Sequence, residues 1–156
     1  MSFSTFSGDF IDTTLYQLGA SKIKVVGGKQ HVVDFDFGDG PSLTYIFTIT
    51  NENRFYLQRA RPYPMVHGRF ASEKEIIAFI KKDSRAFLNA RNSRNYQNFV
   101  ETARDVLSLT EEVEQLFMNQ NVSQEDLSAL HQECTALKAL IHQVAQHSPA
   151  IEHKKT

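Results

Sequence analysis

Between Asn95 and His147 the chain carries two consecutive seams of apolar residues at coiled-coil spacing, and no other feature limits its fold as strongly. The first seam reads Phe99, Ala103, Val106, Thr110, Val113, Phe117; the second reads Leu127, Leu130, Cys134, Leu137, Ile141, Val144. Steps alternating between three and four keep each seam on one side of a helix wound at about 3.5 residues per turn. Each apolar side needs a surface to pack on. Two helices of about 25 residues, each roughly 36 Å long, predict a long C-terminal antiparallel helical hairpin broken at Asn119 to Val122. Ser123 with Asp126 three residues on starts the second helix, and Pro149 stops it.

Upstream, from Lys22 to Arg61, the apolar period changes from helical to alternating. Four strands fit there: Lys22 to Val26, Gln30 to Phe37, a third through Leu43 and Ile49, and a fourth through Phe55 and Leu57. Gly27-Gly28 reads as a two-residue hairpin turn, Gly38 to Pro41 as the next break, and Asn51 to Asn53 as the third. The simplest topology is an antiparallel meander. One face carries Val33, Phe35, Phe37, Leu43, Tyr45, Phe47, Ile49, Phe55 and Leu57; the other carries Asp34, Asp36, Thr44, Thr48, Tyr56 and Gln58. Pro62 and Pro64 end the last strand, so Arg61 to Arg69 is expected to be irregular.

A short helix is expected before the sheet, from Asp9 to Leu18, with Ser7 as cap, Asp9 and Asp12 near its positive end, and Gly19 closing it. Its apolar side, Phe10, Ile11, Leu15 and Leu18, is expected to cover the sheet. After the sheet, Ser72-Glu73-Lys74-Glu75 is a capping box, and the helix it opens shows Ile76, Ile77, Ile80, Phe87 and Leu88 as the stripe that lies on the strands. The fold class is therefore α+β: a short N-terminal helix, a four-stranded antiparallel meander, a covering helix and the hairpin. At 156 residues one domain spanning 1–156 is expected, with 1–71 mainly β-sheet, 72–147 helical and 148–156 a disordered tail.

The net charge of −1 conceals an uneven distribution: residues 1–53 carry −3, 54–94 carry +7 and 95–156 carry −5. Within the basic middle, Arg59, Arg61 and Arg69 are the candidates for converging on one anion, with tyrosines nearby to stack bases, as in single-strand nucleic-acid binding. Nucleic acid is not favoured as a partner, because the positive charge is spread over a long segment and reads equally well as a solvated face. Tyr45, Tyr63 and His67 are candidates for a pocket between sheet and helix.

Asp34, Asp36 and Asp39 surround a glycine turn, but the calcium-loop spacing fails, since Asp39 and Tyr45 stand where glycine and glutamate belong. His131 and Cys134 lie three apart on the last helix. One cysteine cannot close a zinc site, and Cys134 occupies a seam position, so a packed, unreactive thiol is expected. His142, His147 and His153 suit a solvated helix end and tail. Phosphate-loop, dinucleotide, metalloprotease and serine-hydrolase signatures are absent from the sequence, and no cofactor or metal is implied.

The N-terminal stretch MSFSTFSGDFID lacks a secretory pattern and no window has the roughly 18 apolar residues of a membrane span, which predicts a cytoplasmic protein with no membrane partner. These signals together favour a non-enzymatic interaction or adaptor protein, a homodimer assembled through the hairpin and open to a protein partner. Val106, Val113, Phe117, Leu130, Leu137 and Ile141 are the expected interface. The alternatives are polyanion binding by the basic middle and a small-molecule enzyme or sensor using the pocket.

Overall fold

The computed structural model describes residues 4–38 and 42–150. Asp39, Gly40 and Pro41 of the expected break and residues 151–156 of the expected tail, with His153, lie outside the described residues. The elements run α1 (Ser4–Gln17), β1 (Gly28–Phe35), β2 (Leu43–Thr50), β3 (Phe55–Arg61), β4 (Met65–Phe70), α2 (Glu73–Ala90), α3 (Tyr96–Asn119) and α4 (Gln124–His147). The α+β order holds: one helix, four antiparallel strands in one sheet ordered β1-β2-β3-β4, then three helices.

Pairing runs from Gly28 opposite Thr50 to Phe35 opposite Leu43, and Tyr45 stands opposite both Val33 on β1 and Arg59 on β3. The core face is the predicted one, while on the other face Thr44 is buried as well. Leu43, Tyr45, Phe55 and Leu57 are buried, and Phe35, Phe37, Phe47 and Ile49 pack against them. Asn53 at φ 56° turns the β2–β3 hairpin, where the Thr50 hydroxyl accepts from the Arg54 amide at 3.1 Å.

Two strand assignments need correction. Lys22–Val26 is irregular, with Val25 and Val26 exposed, and Gly28 opens β1 where a hairpin turn was expected. β1 is thus an edge of the sheet, paired with β2 alone. The missing strand is β4, inside the stretch expected to be irregular. Pro62 and Pro64 fall in the turn between β3 and β4, where no ladder donor is needed; the Arg61-Pro62 peptide is cis. A bulge shifts the register between Leu57 and Gln58, and Gly68 beside it takes φ 88°, a conformation that favours glycine.

Gly28 has a second constraint: a Cβ there would lie 2.6 Å from the Ile49 carbonyl oxygen. Gly28→Ala is therefore expected to cost about 1–3 kcal/mol by forcing β1 away from β2. A urea midpoint equal to that of the parent protein would contradict this close approach.

Helix α2 starts as its capping pattern dictates, with the Ser72 hydroxyl accepting from the Glu75 amide at 3.3 Å. The Glu75 carboxylate accepts from the Ala71 amide at 2.9 Å, one residue before the expected donor. Ile76 and Phe87 are buried and Phe79 and Ile80 half-buried, while Ile77 and Leu88, expected on the same stripe, are exposed. Val100 of α3 completes the core, and Arg104 anchors α3 by donating from Nη2 to the Pro62 carbonyl at 2.9 Å.

With α2 and the first turns of α3 on the sheet, α1 has no place there. Phe10, Ile11, Leu15 and Leu18 are exposed, contrary to the covering role expected of them. The helix starts at Ser4, which puts Ser7 inside it and moves Asp9 and Asp12 beyond the first turn. Its end is as expected: Gly19, at φ 103°, donates to Tyr16 and Ala20 donates to Leu15, the paired bonds of a glycine-closed helix.

Candidate functional site

Strand alternation places Phe55, Leu57 and Arg59 in turn on the core face of β3, so an arginine enters the interior opposite Tyr45 and Met65. Arg59 is 3% exposed. Its Nη1 donates to Asp83 Oδ2 at 3.0 Å and its Nη2 to the Met65 sulfur at 3.3 Å. The guanidinium carbon lies 4.6 Å from the ring centroids of both Tyr63 and Phe87. Two aromatic faces against one dehydrated cation are a favourable arrangement, worth up to about 2 kcal/mol per contact. The Tyr45 hydroxyl, with Tyr45 wholly buried, donates to the same Asp83 Oδ2 at 2.6 Å.

The bulge on β4 brings His67 to this side, where its ring stands 4.5 Å from Phe79 of α2. Arg59, Tyr63, Met65, His67, Asp83, Ala86, Phe87, Ala90 and Phe99 together line a cleft of about 300 Å³ between the sheet and the first residues of α3 on one side and α2 on the other. Tyr63 and His67 thus share a cleft, and Tyr45 joins them through Asp83. Asp83 escaped the sequence reading, although a signal was present: it lies seven residues after Ile76 and four after Phe79, on the stripe that faces the sheet.

Burial pushes the Tyr45 hydroxyl pKa well above its ordinary value, reinforced by its bond to Asp83 and by that carboxylate's charge and opposed by Arg59. Burial also raises Tyr63 and, chiefly with Arg59, lowers His67. A tyrosine neutral in the fold but ionised when unfolded stabilises fully below its unfolded pKa of about 10, and that stability is lost as pH rises toward the folded value. Stability is expected to fall by about 1–3 kcal/mol between pH 10 and pH 11, at up to about 1.4 kcal/mol per pH unit for each buried tyrosine. His67, neutral in the fold, withdraws its share as pH falls below about 6.5. Urea midpoints that stay level from pH 9 to pH 11 would contradict the tyrosine assignment.

Arg59, Arg61 and Arg69 do not converge. Arg59 is committed inside the core, whereas Arg69 is exposed, stands opposite Tyr56 in the β3–β4 pairing and holds its guanidinium carbon 5.4 Å from that ring centroid. Arg61 is exposed at the strand end and does not line the cleft. On the outer face the Asp34 carboxylate accepts from the Thr44 hydroxyl, and the Asp36 carboxylate accepts from the Gly38 amide at 2.9 Å. Both are engaged in local bonds, and no group of three His, Cys, Asp or Glu side chains suited to a metal occurs among the described residues.

No family model matches the chain, nor does any curated protein sequence or solved structure. Function therefore has to be read from the molecule itself, and its second prominent feature is the pair of helices that follow the sheet. No helix among the described residues is long and apolar enough to cross a membrane.

Past Leu107 the seam of α3 is exposed, and α4 has no buried residue. Val106 is 44% exposed, Phe117 62% and Ile141 56%, with Val113 and Leu137 also exposed and Leu130 half-buried. Near the turn the two helices border an open cleft of about 440 Å³, lined by Val113, Leu116, Phe117, Val122, Leu127 and Leu130 with Thr110 and Glu114. Cys134, expected to be packed, is exposed because nothing among the described residues covers the side of α4 on which it stands.

Proposed function

We propose that this protein is a non-enzymatic assembly or adaptor module that forms a homodimer through α3 and α4. The observation that carries this reading is the uncovered seam. Two helices of 24 residues each hold apolar residues at coiled-coil spacing, and the chain leaves those residues in water along most of their length. A stripe at 3.5-residue spacing fits another helix, whereas a flat surface makes no use of that regularity. A second copy supplies two such helices of equal length, and a twofold arrangement turns all four seams inward as a four-helix bundle.

The cleft beside the turn supports the same reading. Space between Val113 and Phe117 on one helix and Leu127 and Leu130 on the other is filled by a partner's side chains in such a bundle. The sheet and α2 form a cored unit beside the helices and supply the second surface that an adaptor needs.

Light scattering at micromolar concentration is the direct test. The expected mass is twice the 17.8 kDa of the chain. A mass of 17.8 kDa with α3 and α4 fully helical would remove the proposal.

A further inference from the structure

We propose that the cleft between the sheet and α2 is a binding site for a small organic carboxylate, held by Arg59 and His67 with its apolar body against Tyr63, Phe87 and Phe99. This goes beyond the assembly reading and does not depend on it. The first support is the supply of open donors. A guanidinium has five N–H groups, and Arg59 directs one to Asp83 and one to a thioether, which is a weak acceptor. Its Nε and the Nε2 of His67, a donor whenever that nitrogen carries the proton, are both buried without a hydrogen-bond partner among the described residues, and both residues line the same cleft. A buried donor left unpaired costs about 1–3 kcal/mol, which an acceptor entering the cleft recovers.

The second support is the balance of charge. Asp83 is the counter-ion of Arg59, but its Oδ2 is shared with the Tyr45 hydroxyl and its side chain is 21% exposed, so its charge is partly solvated. The cation, 3% exposed, is not. The segment 54–94, which builds β3, β4 and α2, carries a net charge of +7. An anion entering here meets a dehydrated cation, the only positively charged side chain in the lining, and the charge-assisted bond it forms is roughly twice as strong as a neutral one.

The third support is shape. The volume of about 300 Å³ is at the small end for ligand sites, and the walls are apolar apart from Arg59, His67, Asp83 and the Tyr63 hydroxyl. Few polar groups among aromatic and aliphatic walls suit a ligand with one charged end and an oily body. Bare phosphate, with no oily body, does not fit this lining.

The test uses the full chain with phenylacetate, hexanoate and the uncharged phenylacetamide as probes, followed by calorimetry and by the ring signals of His67. Either carboxylate is expected to bind once per chain and at least tenfold more tightly than the amide. Bound carboxylate is also expected to move the His67 titration upward, because an anion beside the ring favours its protonated form.

Arg59 variants risk the fold, so the discriminating variant is Ala86→Phe. Ala86 lines the cleft from an exposed position on α2, and a phenyl ring there fills the space without disturbing the core. Binding is expected to weaken at least tenfold while the urea midpoint stays unchanged. The proposal is overturned if the amide binds as well as the acids, if Ala86→Phe leaves binding intact, or if neither acid binds by about 10 mM, beyond the weakest affinities of interest. The oligomeric state is read separately, so failure here leaves the assembly reading standing.

Discussion

Asp83→Ala is expected to destabilise the fold by about 3–5 kcal/mol, because it leaves the dehydrated guanidinium of Arg59 without its counter-charge. For a chain of this size that corresponds to a fall in Tm on the order of 10 °C. The magnitude follows from asymmetry within the pair. Arg59 is 3% exposed and enclosed by Tyr63, Phe87 and Met65, so water replaces the lost carboxylate only in part. The buried Tyr45 hydroxyl loses its acceptor in the same step.

Arg59→Met is expected to cost less, about 1–2 kcal/mol, since Asp83 remains partly solvated and still accepts from Tyr45. Combining Arg59→Met with Asp83→Leu is expected to recover much of the loss, because an apolar pair of similar volume carries no charge to desolvate. A thermal midpoint for Asp83→Ala within a degree of the parent protein would show that the pair does not support the core.

The same pair shows what a sequence discloses and what it withholds. Strand alternation gave the core face of the sheet correctly, since Leu43, Tyr45, Phe55 and Leu57 keep a period of two that only one packing satisfies. By that rule Arg59 belongs inside, but a charged residue at a core position reads as exposed until its partner is known, and Asp83 is 24 residues away. Strand β4 was hidden for a related reason. Its bulge inserts an extra residue, which breaks the alternation that would have revealed the strand, and that residue is His67, which stands beside Phe79. The capping serines Ser72 and Ser123 were legible because a cap is a local bond, made within three residues. Helix α1 had an apolar side without a surface to receive it, since α2 and α3 had already taken the core face of the sheet. Amphipathic spacing shows that a helix has an apolar side; which element reaches a shared surface is decided by the whole chain.

For α3 and α4, assembly is expected to fail when charge is placed on the seams. Val113→Glu combined with Ile141→Glu puts one carboxylate on each helix, at positions 42% and 56% exposed in the single chain and covered in the proposed bundle. Each substitution removes about 1.5–3 kcal/mol of apolar burial, and twofold symmetry repeats it. The dimer is therefore expected to weaken at least about a thousandfold, equivalent to roughly 4 kcal/mol, and the mass at micromolar concentration to fall to that of one chain. The sheet should be untouched, because neither position belongs to its core. Ile77→Glu, at a position of α2 that is 63% exposed and off the seams, serves as the control and should leave the mass unchanged.

Salt then separates a second copy from a basic partner. Residues 96–147 carry eight Asp and Glu against two Lys and Arg, so two copies meeting along these helices repel each other while their apolar seams attract. Screening removes the repulsion and leaves the attraction, and the dimer is expected to tighten between about 0.01 M and 0.15 M salt as the screening length falls from about 30 Å to 8 Å. Weakening over that range would point to a positively charged partner for these helices. A double variant that kept the parent mass would show that the seams do not hold the assembly.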